Sequence, residues 1–109
     1  MRNCGNIFDH LPAARLADEV INDILTAPQL RIERIVSTGQ ASPPDFWYDQ
    51  EWKEWVVLLR GGARLLFEGE AEERSLRPGD YVHIPAHQRH RVVWTDPDQA
   101  SVWLAVHYR

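Results

Sequence analysis

The chain has 109 residues, a length that suits one domain with its own core but not two. With 44% hydrophobic and 26% charged residues, the composition is typical of a globular protein. The formal net charge of −4 argues against a nucleic-acid or membrane-surface partner, because both require a basic face. The single cysteine, Cys4, excludes an internal disulfide framework, and no apolar run approaches the roughly 18 residues of a transmembrane helix. We therefore expect a cytoplasmic protein.

The first element that the pattern predicts is a helix over Ala13–Thr26, ended by Pro28. Its apolar residues recur at the spacing of one helical stripe. They are Leu16, Val20, Ile21, Ile24 and Leu25. Residues 1–29 are accordingly predicted to form an N-terminal arm and helix, and residues 30–109 the main body of a single domain.

From residue 30 onward the chain has the pattern of short β-strands separated by turns. The predicted strands are Leu30–Ser37, Glu54–Arg60, Ala63–Glu68, Tyr81–Ile84, Arg91–Trp94 and Ser101–Tyr108. Gly61-Gly62 is a two-residue link typical of a tight hairpin, so the strands on either side of it are predicted to pair. Many short strands with regular turn signals favour an all-β antiparallel barrel of about eight or more strands.

The strand Glu54–Arg60 is apolar on both faces apart from one acid. Trp55, Val57 and Leu59 form one face, and Glu54 shares the other face with two aliphatic residues. Burying an unpaired carboxylate costs several kcal/mol, so Glu54 is either a functional residue or a solvated one at the rim. The other face also needs a cover. We expect a homodimer that shares a sheet face or the N-terminal segment, with the helix acting as a lid as the alternative.

Three histidines, His83, His87 and His90, lie around a strand–turn–strand corner that follows Pro78-Gly79-Asp80. Imidazoles gathered at such a corner can bind a metal or transfer a proton near neutral pH. A single histidine in a turn is as often a solvated residue as a functional one. The spacing of two of them beside Pro85 favours a site.

These segments together resemble a cupin, in particular the small single-domain bacterial cupins. Glu54 and Gly61 have the separation of the glutamate and glycine in the first cupin motif. Gly79, Pro85 and His90 have the spacing of the second motif. The resemblance covers roughly residues 30–108 and implies the cupin fold, a double-stranded β-helix or jelly roll.

The resemblance also implies a metal site at the barrel mouth. In cupins, two histidines and the glutamate of the first motif and the histidine of the second motif bind a divalent ion. Tyr48 and Gln50 replace the two first-motif histidines here, or Trp47 and Asp49 if the spacer is longer. Only Glu54 and His90 match the family's ligands in type. The candidate metal ligands are therefore Gln50, Glu54, His87 and His90, where Gln50 would offer an amide oxygen, Asp49 is the alternative to Gln50, and His87 would add an imidazole from outside the family's positions. Tyr48 and His87 are the candidate catalytic groups.

The first functional hypothesis is therefore an enzyme that acts on a small molecule with a divalent metal such as Zn, Fe, Mn or Ni, as an isomerase, dioxygenase or lyase. The alternative is a metal-free module that binds a small-molecule ligand. Trp47, Tyr48 and Trp52 could then stack on a sugar or aromatic ring, while Arg89 and Arg91 meet an anionic group. A third hypothesis is a structural or regulatory dimer without a ligand.

Overall fold

The computed structural model describes residues 3–109, which form eight β-strands and no α-helix. The strands are β1 (Val20–Ala27), β2 (Leu30–Ser37), β3 (Lys53–Arg60), β4 (Ala63–Phe67), β5 (Arg74–Leu76), β6 (Tyr81–Ile84), β7 (His90–Thr95) and β8 (Ser101–Tyr108). Three of them, β2, β6 and β8, have the predicted bounds. Within these residues, nothing forms a helix long and apolar enough to cross a membrane.

The strands form two antiparallel sheets whose inner faces pack on each other. One sheet has the order β1-β2-β8-β3-β6, and the other has the order β5-β4-β7. An isolated antiparallel bridge between Tyr48 and His90 ties the long segment before β3 to the three-stranded sheet. Apolar side chains from both sheets fill the space between them, and Leu58 at its centre is fully buried. The all-β antiparallel barrel predicted from the sequence is confirmed.

The predicted N-terminal helix over Ala13–Thr26 is wrong. Its second half forms β1, an edge strand that pairs with β2 through the turn at residues 28–29. Ile21, Ile24 and Leu25 are each about half exposed, so they do not form the buried stripe of an amphipathic helix. The β-branched residues of this segment also suit a strand, and pairing along the whole length of β2 decides between the two patterns. A helical lid over the sheet is therefore absent from residues 3–109.

The predicted hairpin at Gly61-Gly62 is also wrong, because β3 and β4 belong to different sheets. The link carries the chain from one sheet to the other across the edge of the barrel. Gly61 has φ +88° and packs against Ser101, whose hydroxyl accepts a hydrogen bond from the Gly62 amide at 3.1 Å. Glycine is needed here because φ is positive and the backbone of β8 lies close. A two-residue hairpin turn also favours glycine, so the sequence signal is the same in both cases.

Candidate active site

Three neighbouring strands of the five-stranded sheet change from an apolar to a polar inner face at the same end. From the apolar end to the polar end, the inner face consists of Ile35, Glu33 and Arg31 in β2, of Trp103, Ala105 and His107 in β8, and of Leu58, Val56 and Glu54 in β3. His107 lies directly opposite Arg31 on one side and Glu54 on the other. Residues directly opposite each other in an antiparallel pair share a face, so these three side chains form a polar row across the sheet.

The polar row forms part of the wall of a cavity of about 260 Å³ between the two sheets. His90 of β7 lines it from the three-stranded sheet, and Tyr48 and Gln50 line it from the segment between β2 and β3. Glu19, which precedes β1, contributes a further carboxyl group. Aliphatic residues from both sheets complete the lining. A cavity that is mostly apolar, with a few convergent polar groups, is the usual form of a small-molecule site.

Glu33 connects two members of the polar row. One of its carboxylate oxygens lies 3.0 Å from Nε2 of His107. The other forms an ion pair with Nε of Arg31 at 3.1 Å, and this contact is not a hydrogen bond. A carboxylate only accepts hydrogen bonds, so Nε2 of His107 carries a proton and Nδ1 is the ring nitrogen left for a ligand. Glu33 thereby orients His107 in the way that a general base is oriented in many enzymes.

His90 faces the cavity with its Nε2 atom. Its Nδ1 lies 2.9 Å from the backbone carbonyl oxygen of Gln88, which can only accept, so Nδ1 carries the proton. The ring is held by Tyr48 on one side and Phe67 on the other, with centroids 5.4 and 6.1 Å away. Within residues 3–109, Nε2 has no hydrogen-bond partner, and His90 is only 5% exposed. It therefore presents a lone pair to whatever enters the cavity.

Glu54 and Gln50 form a hydrogen-bonded pair at the cavity wall. The Gln50 amide nitrogen donates to one Glu54 oxygen at 3.0 Å, which leaves the other carboxylate oxygen and the amide oxygen for a ligand. Glu54 is only 7% exposed, so the solvated-rim interpretation of this acid is wrong. A carboxyl group buried to this extent costs free energy unless it has a partner, and Gln50 is the partner of Glu54.

Two groups in the cavity have raised pKa values. Burial raises the pKa of the Glu19 carboxyl above its ordinary 4.5, and the negative charges of Glu33 and Glu54 raise it further, partly offset by the Ser37 hydroxyl. Burial also raises the pKa of Tyr48 above 10.0, with contributions from the charges of Glu19 and Glu54. Tyr48 is therefore a protonated phenol at neutral pH and can donate a hydrogen bond.

The structure places His87 outside the cavity, unlike Gln50, Glu54 and His90. His87 has φ 61°, which turns its exposed side chain away from the barrel, and its Nδ1 lies 2.8 Å from an Asp49 oxygen. Asp49 is thereby drawn outward too, whereas Gln50 points inward. The expected grouping of four ligands around a common point is consequently not formed.

The remaining donors do not fit a metal centre. Among the described residues, no three His, Cys, Asp or Glu side chains lie close enough to hold one ion. Glu54 and His90 supply one carboxylate and one imidazole, and the free amide oxygen of Gln50 is not a usual ligand of zinc or of non-haem iron. Catalytic zinc usually has three protein ligands, and non-haem iron has two histidines and a carboxylate. The chain's own acid and base groups are the better-defined chemistry of this site.

Four cavity residues were not among the sequence-based candidates: Glu19, Arg31, Glu33 and His107. For His107 the sequence held a usable signal, because it has the same strand parity as Trp103 and Ala105. The alternate residues of this strand, Val102, Leu104 and Val106, are more continuously apolar and make the signal easy to miss. Glu33 has the same kind of signal, as an acid in phase with Ile35 on β2.

Glu19→Gln should make the stability of the protein less dependent on pH. Because the pKa of Glu19 is raised on folding, its contribution to stability is fully present below pH 4.5 and is lost as the pH rises through the raised value. The variant removes that loss, so its melting temperature relative to that of the parent should rise as the pH increases from 4.5 through the raised pKa and should level off above it. The measurement is thermal unfolding at several pH values, with Glu72→Gln on an exposed turn as control. A difference in melting temperature that does not change with pH would contradict this prediction.

Comparison with known proteins shows the family. The profile of the cupin domain family matches residues 33–107, and this chain belongs to that family. A proposed mannose-6-phosphate isomerase from Ralstonia eutropha JMP134 is 50% identical, with a TM-score of 0.93, and the match covers 96% of each chain. No curated protein sequence matches the chain.

More distant structures share only the fold. The polyketide cyclase RemF from Streptomyces resistomycificus is 17% identical, with a TM-score of 0.75 over 99% of this chain and 80% of the other. The DMSP lyase DddQ from Ruegeria pomeroyi DSS-3 is 20% identical, with a TM-score of 0.70 over 89% of this chain and 52% of the other. Enzymes of different reaction types therefore use this barrel, and the residues in the cavity must distinguish among them.

Proposed function

We propose that this cupin is an isomerase-type enzyme that moves a proton between adjacent carbons of a small polyhydroxylated carbonyl compound. The observation that carries the proposal is the hydrogen-bonded pair of Glu33 and His107 beside Glu54, facing the lone pair of His90 across one cavity. Two imidazoles with defined tautomers are suited to accept and return protons near neutral pH.

The aldose–ketose reaction moves one proton from C2 to C1 and another from the C2 hydroxyl to the C1 oxygen. Atoms and electrons balance without an oxidant or a second substrate. Nδ1 of His107 is the base that takes the carbon-bound proton, and Glu33 stabilises the imidazolium that forms. The Tyr48 phenol donates a hydrogen bond to the carbonyl oxygen, where negative charge develops. His90 and Glu54 hold the neighbouring hydroxyl groups and exchange the proton between the two oxygens.

Similarity supports this reaction type over those of the other cupins. The R. eutropha protein, proposed to be a mannose-6-phosphate isomerase, is similar over nearly the whole length of both chains. The cyclase and the lyase are similar in fold alone. The cavity of about 260 Å³ is also of a size suited to a monosaccharide-sized molecule.

The test is proton exchange with solvent. The purified protein is incubated in D₂O with mannose and, separately, with mannose 6-phosphate, and the loss of the C2 proton signal is followed by NMR. Parallel samples contain a chelator or added Zn²⁺, because Glu54 and His90 occupy the cupin metal positions. Exchange that requires the protein supports the proposal, and no exchange with either sugar under any condition would refute it.

For assembly, we propose a homodimer formed through the outer face of the five-stranded sheet. Trp55, Val57 and Leu59 lie on this face, half-buried in the single chain, and Tyr81 beside Trp55 is 67% exposed. Since no helix among residues 3–109 covers the sheet, a second copy is the expected cover. Light scattering at micromolar concentration should give twice 12.7 kDa. Tyr81→Glu should shift the protein toward the single-chain mass, and a 12.7 kDa species for the parent protein would contradict the proposal.

A further inference from the structure

The polar groups of the cavity mostly accept hydrogen bonds. The acceptors are the Glu19 and Glu54 carboxylates, the Gln50 amide oxygen, and the lone pairs of His90 and His107. The Trp103 indole nitrogen, which could have donated, is already bonded to the Ser37 hydroxyl at 3.1 Å. A ligand that fills this cavity must therefore supply most of the hydrogens.

The charges of the lining residues also favour a ligand that donates hydrogen bonds. Three acidic side chains, Glu19, Glu33 and Glu54, line the cavity, and Arg31 is the one permanently positive group among the described lining residues. The Arg31 guanidinium is paired with Glu33 and extends to the mouth, where it lies over the Trp52 ring at 5.8 Å and is 42% exposed. The positive charge of Arg31 is therefore largely neutralised by Glu33 and screened by solvent, and it contributes little to the interior of the cavity.

We propose that the cavity selects a neutral or amine-bearing polyhydroxylated ligand and excludes a ligand whose phosphate or carboxylate group must enter it. This inference rests on the proposed function and specifies its substrate class. An ammonium group would be drawn to the uncompensated carboxylates, and hydroxyl groups would satisfy the imidazole lone pairs. A phosphate ester would bring about two more negative charges into a cavity lined by three acidic side chains, where the Tyr48 hydroxyl and Arg31 are the few hydrogen-bond donors. The unpartnered Nε2 of the buried His90 is a second, independent feature of the cavity. It can be satisfied by a ligand group that donates a hydrogen bond.

The inference is tested with three probes that share one sugar ring: mannose, mannosamine and mannose 6-phosphate. Calorimetry at neutral pH and low salt gives the three dissociation constants. Mannosamine is expected to bind at least about tenfold more tightly than mannose 6-phosphate, with mannose between them. In Glu19→Gln the advantage of mannosamine over mannose should shrink, whereas Glu72→Gln should leave it unchanged.

Tighter binding of mannose 6-phosphate than of mannosamine would overturn the inference, and so would an absence of binding by all three at millimolar concentration. The proton-exchange assay distinguishes this failure from failure of the proposed function. If mannose 6-phosphate binds best and its C2 proton exchanges, the isomerase proposal stands and the substrate class is wrong. If mannosamine binds best and no probe exchanges, the substrate class stands and the isomerase proposal is wrong.

Discussion

Gly61→Ala is expected to be the most destabilising single-methyl change in the barrel. A Cβ at this position would lie 2.7 Å from both Cα and Cβ of Ser101, and Ser101 is fully buried in β8. The positive φ costs about 1–2 kcal/mol for any L-side chain. Forcing an atom into a packed backbone contact adds about 1–3 kcal/mol. A total of about 2–5 kcal/mol is a large part of the 5–15 kcal/mol that stabilises a typical domain.

Gly69→Ala is the matched control for this prediction. Gly69 also has a positive φ, +92°, but nothing lies within 4 Å of the added Cβ. The control therefore carries the backbone cost without the collision and should lose only about 1–2 kcal/mol. Urea unfolding compares the two variants with the parent protein. Equal losses in the two variants would show that the contact with Ser101 relaxes at little cost.

His107→Asn should reduce the turnover number for proton exchange by about 10²–10⁴-fold, the range for loss of a general base. Asparagine keeps a polar group near Glu33 but has no lone pair of suitable basicity. Its apparent affinity for the sugar should change much less than its turnover number. Thermal unfolding checks that the variant is folded.

Glu33→Gln should lower turnover less than His107→Asn, because Glu33 acts by positioning the imidazole. Its direct readout is the ¹⁵N spectrum of the His107 ring, which should show the proton distributed over both nitrogens once the acceptor at Nε2 is weakened. His83→Asn is the control, since His83 is exposed and bonded to the Tyr108 hydroxyl at 2.7 Å. Full activity in His107→Asn, or an unchanged ring spectrum in Glu33→Gln, would show that this pair has been assigned the wrong role.

Sequence patterns located the strands well because their signals are local. Alternating polarity and turn residues predicted the bounds of three strands, Leu30–Ser37, Tyr81–Ile84 and Ser101–Tyr108. Motif spacing predicted that Glu54 and His90 line the cavity. The pairing of separate segments was harder to predict from local patterns. The residues of β1 satisfy a helical and an extended pattern alike, and only the partner strand β2 decides between them.

The site residues show the same limit. His87 and Asp49 have the right chemistry and nearly the right spacing, but a positive φ at His87 turns its side chain out of the cavity, where it bonds to Asp49. His107 and Glu33 are 74 residues apart in sequence and meet because β8 lies beside β2. A contact of that kind follows from strand order, which neither residue type nor local spacing encodes.

The shared polar end of β2, β3 and β8 restricts how the chain can change length. Because successive residues of a strand point to opposite faces, an insertion or deletion inside β8 would replace His107 in the cavity with a neighbour such as Tyr108 or Val106. The same event inside β3 would remove Glu54 from the row. Point substitutions can thus alter the cavity one group at a time, whereas length variation is tolerable only in the connections, such as residues 38–47 and 96–100. Engineering of new ligand contacts should accordingly extend those connections and leave the strands at their present length.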